Sequence, residues 1–150
     1  LVEAGLPWIP ELVVQGDFSF ASGVEAARKL FAMDAPPTAV FAGNDDMASG
    51  VIWTASEHGL SVPEDLSVCG FDDTPISRQV WPTLTTIHQP ARDMGRIACL
   101  QLLDVLRGFG PGRMVQVPYS LRMRESTAPT RKAAQIAGHD QGNGKNAAPL

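Results

Sequence analysis

The run Leu66–Phe71 (LSVCGF) stops at two carboxylates, Asp72 and Asp73. An apolar strand that ends abruptly in charge marks a place where a sheet meets water or a ligand. Three other strand-like runs end in usable groups. Glu11–Gln15 leads to Asp17-Phe18, Thr38–Ala42 to Asn44, and Leu84–His88 to Gln89. In open parallel sheets, ligands sit outside the carboxyl ends of the strands. There a carboxylate accepts hydrogen bonds from hydroxyls, an amide donates and accepts, and an aromatic ring stacks on an apolar face. That set suits a sugar or another polar ring. Asp72 is the leading ligand candidate, because it directly follows the buried strand. The others have structural alternatives. Asn44 also reads as a helix N-cap and Phe18 as a core residue at a turn. Asp45 and Asp46 read as partners of a helix dipole, and Asp73-Thr74-Pro75 as a turn.

The elements that must position these groups are legible from periodicity. Ser19 or Ser22 caps a helix in which Val24, Ala27, Leu30 and Phe31 recur at helical spacing. Pro36-Pro37 end it. Thr38–Ala42 is a continuous apolar run, expected for a parallel strand covered on both faces. The next helix carries Ala48, Val51, Ile52 and Ala55 on one face and closes at Gly59. A further helix opens with Pro90 at its first position. Met94, Ile97, Ala98, Leu102, Val105 and Leu106, widened by Leu100 and Leu103, predict cover on more than one side. Met114–Arg124 alternates enough for one or two strands, and the opening residues read as the tail of a helix ending at Gly5. Strands alternating with helices imply an α/β fold with a mainly parallel sheet and right-handed crossovers. From about Thr127 periodicity is lost. Residues 1–126 are thus expected to form the domain and 127–150 a disordered tail.

Composition removes several functions. Hydrophobic content of 44% and charged content of 19% are those of a globular protein. Residues 1–90 hold twelve acids against three bases, Arg28, Lys29 and Arg78. Binding to a phosphate backbone needs clustered Lys and Arg, so this chain alone should not bind DNA. No apolar run reaches the length of a membrane span, and the start lacks the marks of a signal peptide. Cys69 and Cys99 read as small hydrophobes rather than a disulfide, which favours a reducing, cytoplasmic setting. Asp72 and Asp73 are sequence neighbours whose side chains diverge in an extended chain, so they do not flank one bond as a catalytic pair would. His58, His88 and His139 have no metal-ligand spacing, and no cofactor or nucleophile motif is present. A non-enzyme without metal or cofactor is expected.

The segments VVQGDFSFASGVEAARKL, PPTAVFAGNDDMASG, GLSVPEDLSVCGFDDT and PTLTTIHQP together resemble the C-terminal half of LacI/GalR-type transcriptional repressors, in unbroken order over about residues 1–126. The resemblance implies a periplasmic-binding-protein-like (type I) sandwich of two α/β subdomains with a small effector between them, of which this chain holds mainly the C-terminal one. It implies that Phe18 stacks on the effector, that Asn44 and Asp72 hydrogen-bond to it, and that Gln89 lies near the crossover between subdomains. It also implies a homodimer, with the helix Asp45–His58 and the loop Thr74–Trp81 as its surface, hence Ser49, Trp53, Ile76 and Val80. Trp53 lies off the apolar face of its helix, which independently makes it an interface candidate, or a surface Trp packed by its edge. DNA would be reached only through a helix-turn-helix headpiece absent from this chain. The helix from Pro90 resembles one that packs in the other subdomain, so here it would lose its cover. The alternative is the sugar-binding protein of a transporter, which shares the fold, but FDDTP followed by LTTIHQP resembles the repressors more closely.

Overall fold

The computed structural model describes residues 2–5 and 7–129. Its regular elements are α1 (Phe20–Phe31), β1 (Ala39–Phe41), α2 (Asp45–Glu57), β2 (Ser67–Asp72), β3 (Thr85–His88), α3 (Ala91–Leu106) and β4 (Ser120–Arg122). Short 3-10 turns lie at Val2–Ala4, Pro10–Leu12 and Pro75–Arg78. The helix ends form where the capping chemistry puts them. Ser19 accepts a hydrogen bond from the Ser22 N–H, and Asn44 from the Met47 N–H. Past the end of α2, Gly59 takes φ +69° and Leu60 N–H donates to Ala55 C=O, closing the last turn. Pro90 stands one position earlier than expected, as the N-cap of α3.

The sheet has the order β1-β2-β3-β4. β1, β2 and β3 are parallel, with Val40 opposite Val68 and Asp72 opposite His88, while β4 runs antiparallel to β3. The strand expected at Glu11–Gln15 does not form. Pro10–Leu12 turns instead, with Val13 N–H bonded back to Pro10 C=O. A strand exists only if a neighbour supplies its ladder, and none of the described strands pairs with residues 13–15. For the same reason only Ser120–Arg122 of Met114–Arg124 is a strand. Ser67 Oγ bonds both the N–H and the C=O of Ala128, and Thr85 Oγ1 lies 3.0 Å from Thr127 Oγ1. Contacts to the sheet therefore continue past Ser126, and the remainder of the expected tail, from residue 130, lies outside the described residues.

The core sits between α2 and one face of the sheet. It comprises Ala27, Ala42, Ala48, Val51, Ile52, Ala55, Leu66, Val68 and Leu84. Burying a Leu or Val side chain of this kind stabilises by about 1.5–3 kcal/mol. Small residues let α1 and α2 approach closely. A Cβ at Gly23 would run into the Met47 backbone, and one at Gly50 into the Phe20 carbonyl oxygen.

The expected cover of β1 is overturned, and the cover that periodicity asked of α3 is missing among the described residues, as the resemblance implied. β1 is exposed on alternate positions, with Phe41 64% exposed, rather than covered on both faces. The α1–α2 layer meets the face carrying Val68 and Gly70, while Phe41 lines a cavity with Leu12 and Val13. α3 likewise has no buried residue, and Leu102 and Leu106 are mostly exposed. Its apolar character exceeds what any described element covers.

Gly50→Ala should lower stability by about 1–3 kcal/mol, since the overpacking of two helix backbones outweighs the better helix propensity of Ala. Gly95→Ala, where an added Cβ meets nothing within 4 Å, should be neutral or stabilising by up to about 1 kcal/mol. Urea unfolding followed by circular dichroism checks both signs.

Candidate functional site

The Asp17 carboxylate accepts hydrogen bonds from Ser19 Oγ at 2.5 Å and Ser19 N–H at 3.0 Å, and Asp17 N–H donates to Ser22 Oγ. The Ser19 hydroxyl first, then Ser22, pulls the Asp17 carboxyl down to about 2. This turn holds Phe18 at φ +68°, and the residue is 67% exposed, so it is not the core residue that the alternative required. Asn44 Nδ2 donates to the Phe18 carbonyl at 2.8 Å while its Oδ1 accepts from Met47 N–H at 2.9 Å. One amide thus caps α2 and fixes the aromatic loop.

The end of β2 supplies the second pair. Asp72 lies opposite His88, so the next residue, Gln89, reaches back, and its Nε2 donates to Asp72 Oδ1. Asp72 has φ +105° and Asp73 φ +56°. Such a conformation costs an L-residue on the order of 1–3 kcal/mol and persists where the surroundings fix it. Phe18, Asp72 and Asp73 are the non-glycine residues of this kind among those described, and all three lie at carboxyl ends of the sheet or in the loops beside them.

Two carboxylates prove more important than their sequence context indicated. Asp45 is fully buried. It accepts from Thr74 N–H at 2.7 Å, Thr74 Oγ1 at 3.1 Å and Thr86 Oγ1 at 2.5 Å, which makes it a tie between elements rather than only a dipole partner. Asp73, read as a turn residue, has a side chain only 3% exposed. Arg124 Nη2 reaches its Oδ1 at 2.5 Å, and Arg78 Nη2 lies 3.1 and 3.0 Å from its two oxygens. Burial works to raise the Asp73 carboxyl. The hydrogen bond and charge of Arg124, the charge of Arg78 and the Ser77 hydroxyl outweigh it and hold the group below the ordinary carboxylate range. The signal available in the sequence was weak, because Arg124 lies 51 residues away.

The fold thus gathers Phe18 with Asn44 and Asp72 with Gln89 along one edge of adjacent strands. This edge is an open ledge. Of the two prominent cavities, one of about 890 Å³ lies below the starts of β1 and β2, and one of about 650 Å³ lies beside β1 and reaches Gly16, Gly43 and Met47; neither is lined by Asp72 or Gln89. Among the described residues no three His, Cys, Asp or Glu side chains converge as metal ligands would. The interface candidates separate. Trp53 is 44% exposed, 6.2 Å from the Phe20 ring, with the Arg28 guanidinium 6.0 Å from its centroid. Ile76 is half-buried. Val80 packs partly on the core, and Ser49 is only 4% exposed with its hydroxyl turned to the Asp46 carbonyl. Ser49 therefore offers a partner almost no surface.

An α/β sheet with strained loops and polar side chains along its carboxyl edge has the arrangement of a small-molecule site. Residues 2–127 match the periplasmic binding protein-like domain. Catabolite control protein A of Priestia megaterium is 42% identical over 128 residues, covering 85% of this chain and 39% of that protein. The HTH-type transcriptional repressor CytR of Escherichia coli K12 is 44% identical over 108 residues, covering 72% of this chain and 32% of that protein. The solved complex of the transcriptional regulator CelR with cellobiose superposes with a TM-score of 0.79 at 35% identity, over 83% of this chain and 38% of that one. The chain belongs to the periplasmic binding protein-like domain family, and its relatives there are LacI-type regulators. It spans well under half the length of these curated relatives.

The depressed Asp73 carboxyl fixes a pH dependence. Its contribution to stability is complete above about 3.8, the ordinary value, and is lost as pH falls through the lower folded value. Asp73→Asn should therefore be less stable than the parent by about 2 kcal/mol at pH 7, the scale of a hydrogen bond to a charged group. That difference should shrink below the ordinary carboxylate value. Urea midpoints measured from neutral to acid pH report it, and a difference that grows in acid would contradict the assignment.

Proposed function

We propose that this chain is the effector-sensing and dimerisation part of a DNA-binding transcriptional regulator. The observation that supports the reading is two hydrogen-bonded pairs at the carboxyl ends of adjacent strands, Asn44 with the Phe18 loop and Gln89 with Asp72. In this reading the ring of the exposed Phe18 stacks on the apolar face of the effector and Asp72 accepts hydrogen bonds from its hydroxyls. Asn44 and Gln89 supply amide groups, although both already orient a neighbour. The effector is a small polar ring, a sugar or a related molecule. Support for the sugar comes from this chemistry and from the cellobiose held by CelR. Effector binding alters the regulator by favouring whichever state of the cleft binds it more tightly. DNA contact belongs to a headpiece outside this chain, since the acidic excess of residues 1–90 does not suit a phosphate backbone. The setting is cytoplasmic and no reaction is catalysed.

The dimer surface is formed by α2 and the Pro75–Arg78 turn, with Trp53 as its aromatic anchor and Ile76 beside it. Large exposed aromatics are enriched at such interfaces. The transporter binding protein is disfavoured because the relatives are regulators.

In the complete regulator, calorimetric titration with a panel of mono- and disaccharides should identify a ligand whose affinity drops roughly 10- to 150-fold in Asp72→Ala, or about 1.5–3 kcal/mol. An unchanged Kd would remove Asp72 from the site. Trp53→Ala should shift the same protein toward monomer in sedimentation velocity, and an unaltered profile at all concentrations would dispose of the α2 interface.

A further inference from the structure

Asp73 makes no ligand contact in this reading, yet among the described residues its side chain has the most polar and charged partners. Its carboxylate is approached by Arg78 from the 3-10 turn, by Arg124 from beyond β4 and, at 4.0 Å, by Arg122 Nε from β4 itself. The Ser77 hydroxyl donates to it at 3.2 Å, and His88 Nδ1 of β3 lies 3.2 Å from its other oxygen. Arg124 is anchored in turn by its hydrogen bond to the Leu84 carbonyl. Groups from the turn, β3 and β4 thus meet on one side chain.

The residue before it is Asp72, and both have positive φ. Two successive L-residues in that region are unusual and do not remain there unless held. The Asp73 carboxylate is held by Arg78 at both oxygens and by Arg124 at Oδ1, which restricts the peptide joining the two residues. In the orientation that peptide takes, the Asp72 carboxylate meets Gln89. We infer that Asp73 is a positioning residue for Asp72, fixing the direction of the ligand-binding carboxylate through its cluster of Arg78, Arg122 and Arg124. The inference rests on the reading of Asp72 as the effector contact and deepens it. Arg78 is largely exposed and follows Ile76 by two residues, so the cluster reaches the surface proposed for the dimer.

The test needs no ligand. In the isotope-labelled chain the Gln89 side-chain amide reports its hydrogen bond to Asp72 in a nitrogen–proton correlation spectrum. Asp72→Asn defines the signal when that bond is altered directly. Asp73→Asn is expected to move the Gln89 signal by more than half of that displacement, while the amides of α2 stay in place. Gly50→Ala, destabilised at a distant helix crossing, is expected to leave it unmoved, which separates positioning from loss of stability. A folded Asp73→Asn whose Gln89 signal coincides with that of the parent would overturn the inference, whatever calorimetry finds for Asp72→Ala. If Asp73→Asn does not fold, the exposed Arg78→Gln decides. Displacement in the same direction supports the inference, and a signal as unmoved as in the charge-matched Lys29→Gln overturns it.

Discussion

The fold depends on one buried carboxylate. Asp45 opens α2 and is closed to solvent, and Thr74 and Thr86 hold its two oxygens from the loop after β2 and from the middle of β3. A buried carboxylate is costly unless its lone pairs are satisfied. The three elements can therefore come together in only one relative placement. Gly70 of β2 makes room for it, since a Cβ there would collide with Asp45 Oδ1. The residues of the proposed site lie next to this tie. Asn44 immediately precedes Asp45 and holds the Phe18 loop, while Asp72 and Asp73 lie between Gly70 and Thr74. The ledge takes its geometry from a group that faces the other way.

Around that tie the structure divides its charges by role. Asp45 is satisfied by neutral hydroxyls and a backbone N–H, whereas Asp73 is satisfied by guanidinium groups and Asp72 by the Gln89 amide. Only the last arrangement leaves a carboxylate half-buried at the edge. Three acids close in sequence or space thus have three fates, each set by what the fold brings against them.

The uncovered surfaces follow from a different constraint. A sheet buries its second face only if another layer is available. Here α1 and α2 provide one layer, and Phe41 and the apolar residues of α3 remain exposed. The chain matches well under half the length of its curated relatives.

What the sequence determined by itself was local. Capping residues, glycine and proline positions and the apolar periods of α1, α2, β2 and β3 were legible, because each depends on neighbours within a turn or on one strand. Asp72 at the end of a buried strand was legible for the same reason. The unpaired Glu11–Gln15, the one-sided cover of β1 and the fates of Asp45, Ser49 and Asp73 were not. A ladder needs a second strand, and a face needs a second layer. The burial of Asp45 and the cluster on Asp73 depend on Thr86 and Arg124, 41 and 51 residues away. Tertiary structure decided these, because hydrogen bonding and desolvation depend on distance in space. It also separated the Asp72-Asp73 pair: the first meets the Gln89 amide at the sheet edge, and the second is buried against guanidinium groups.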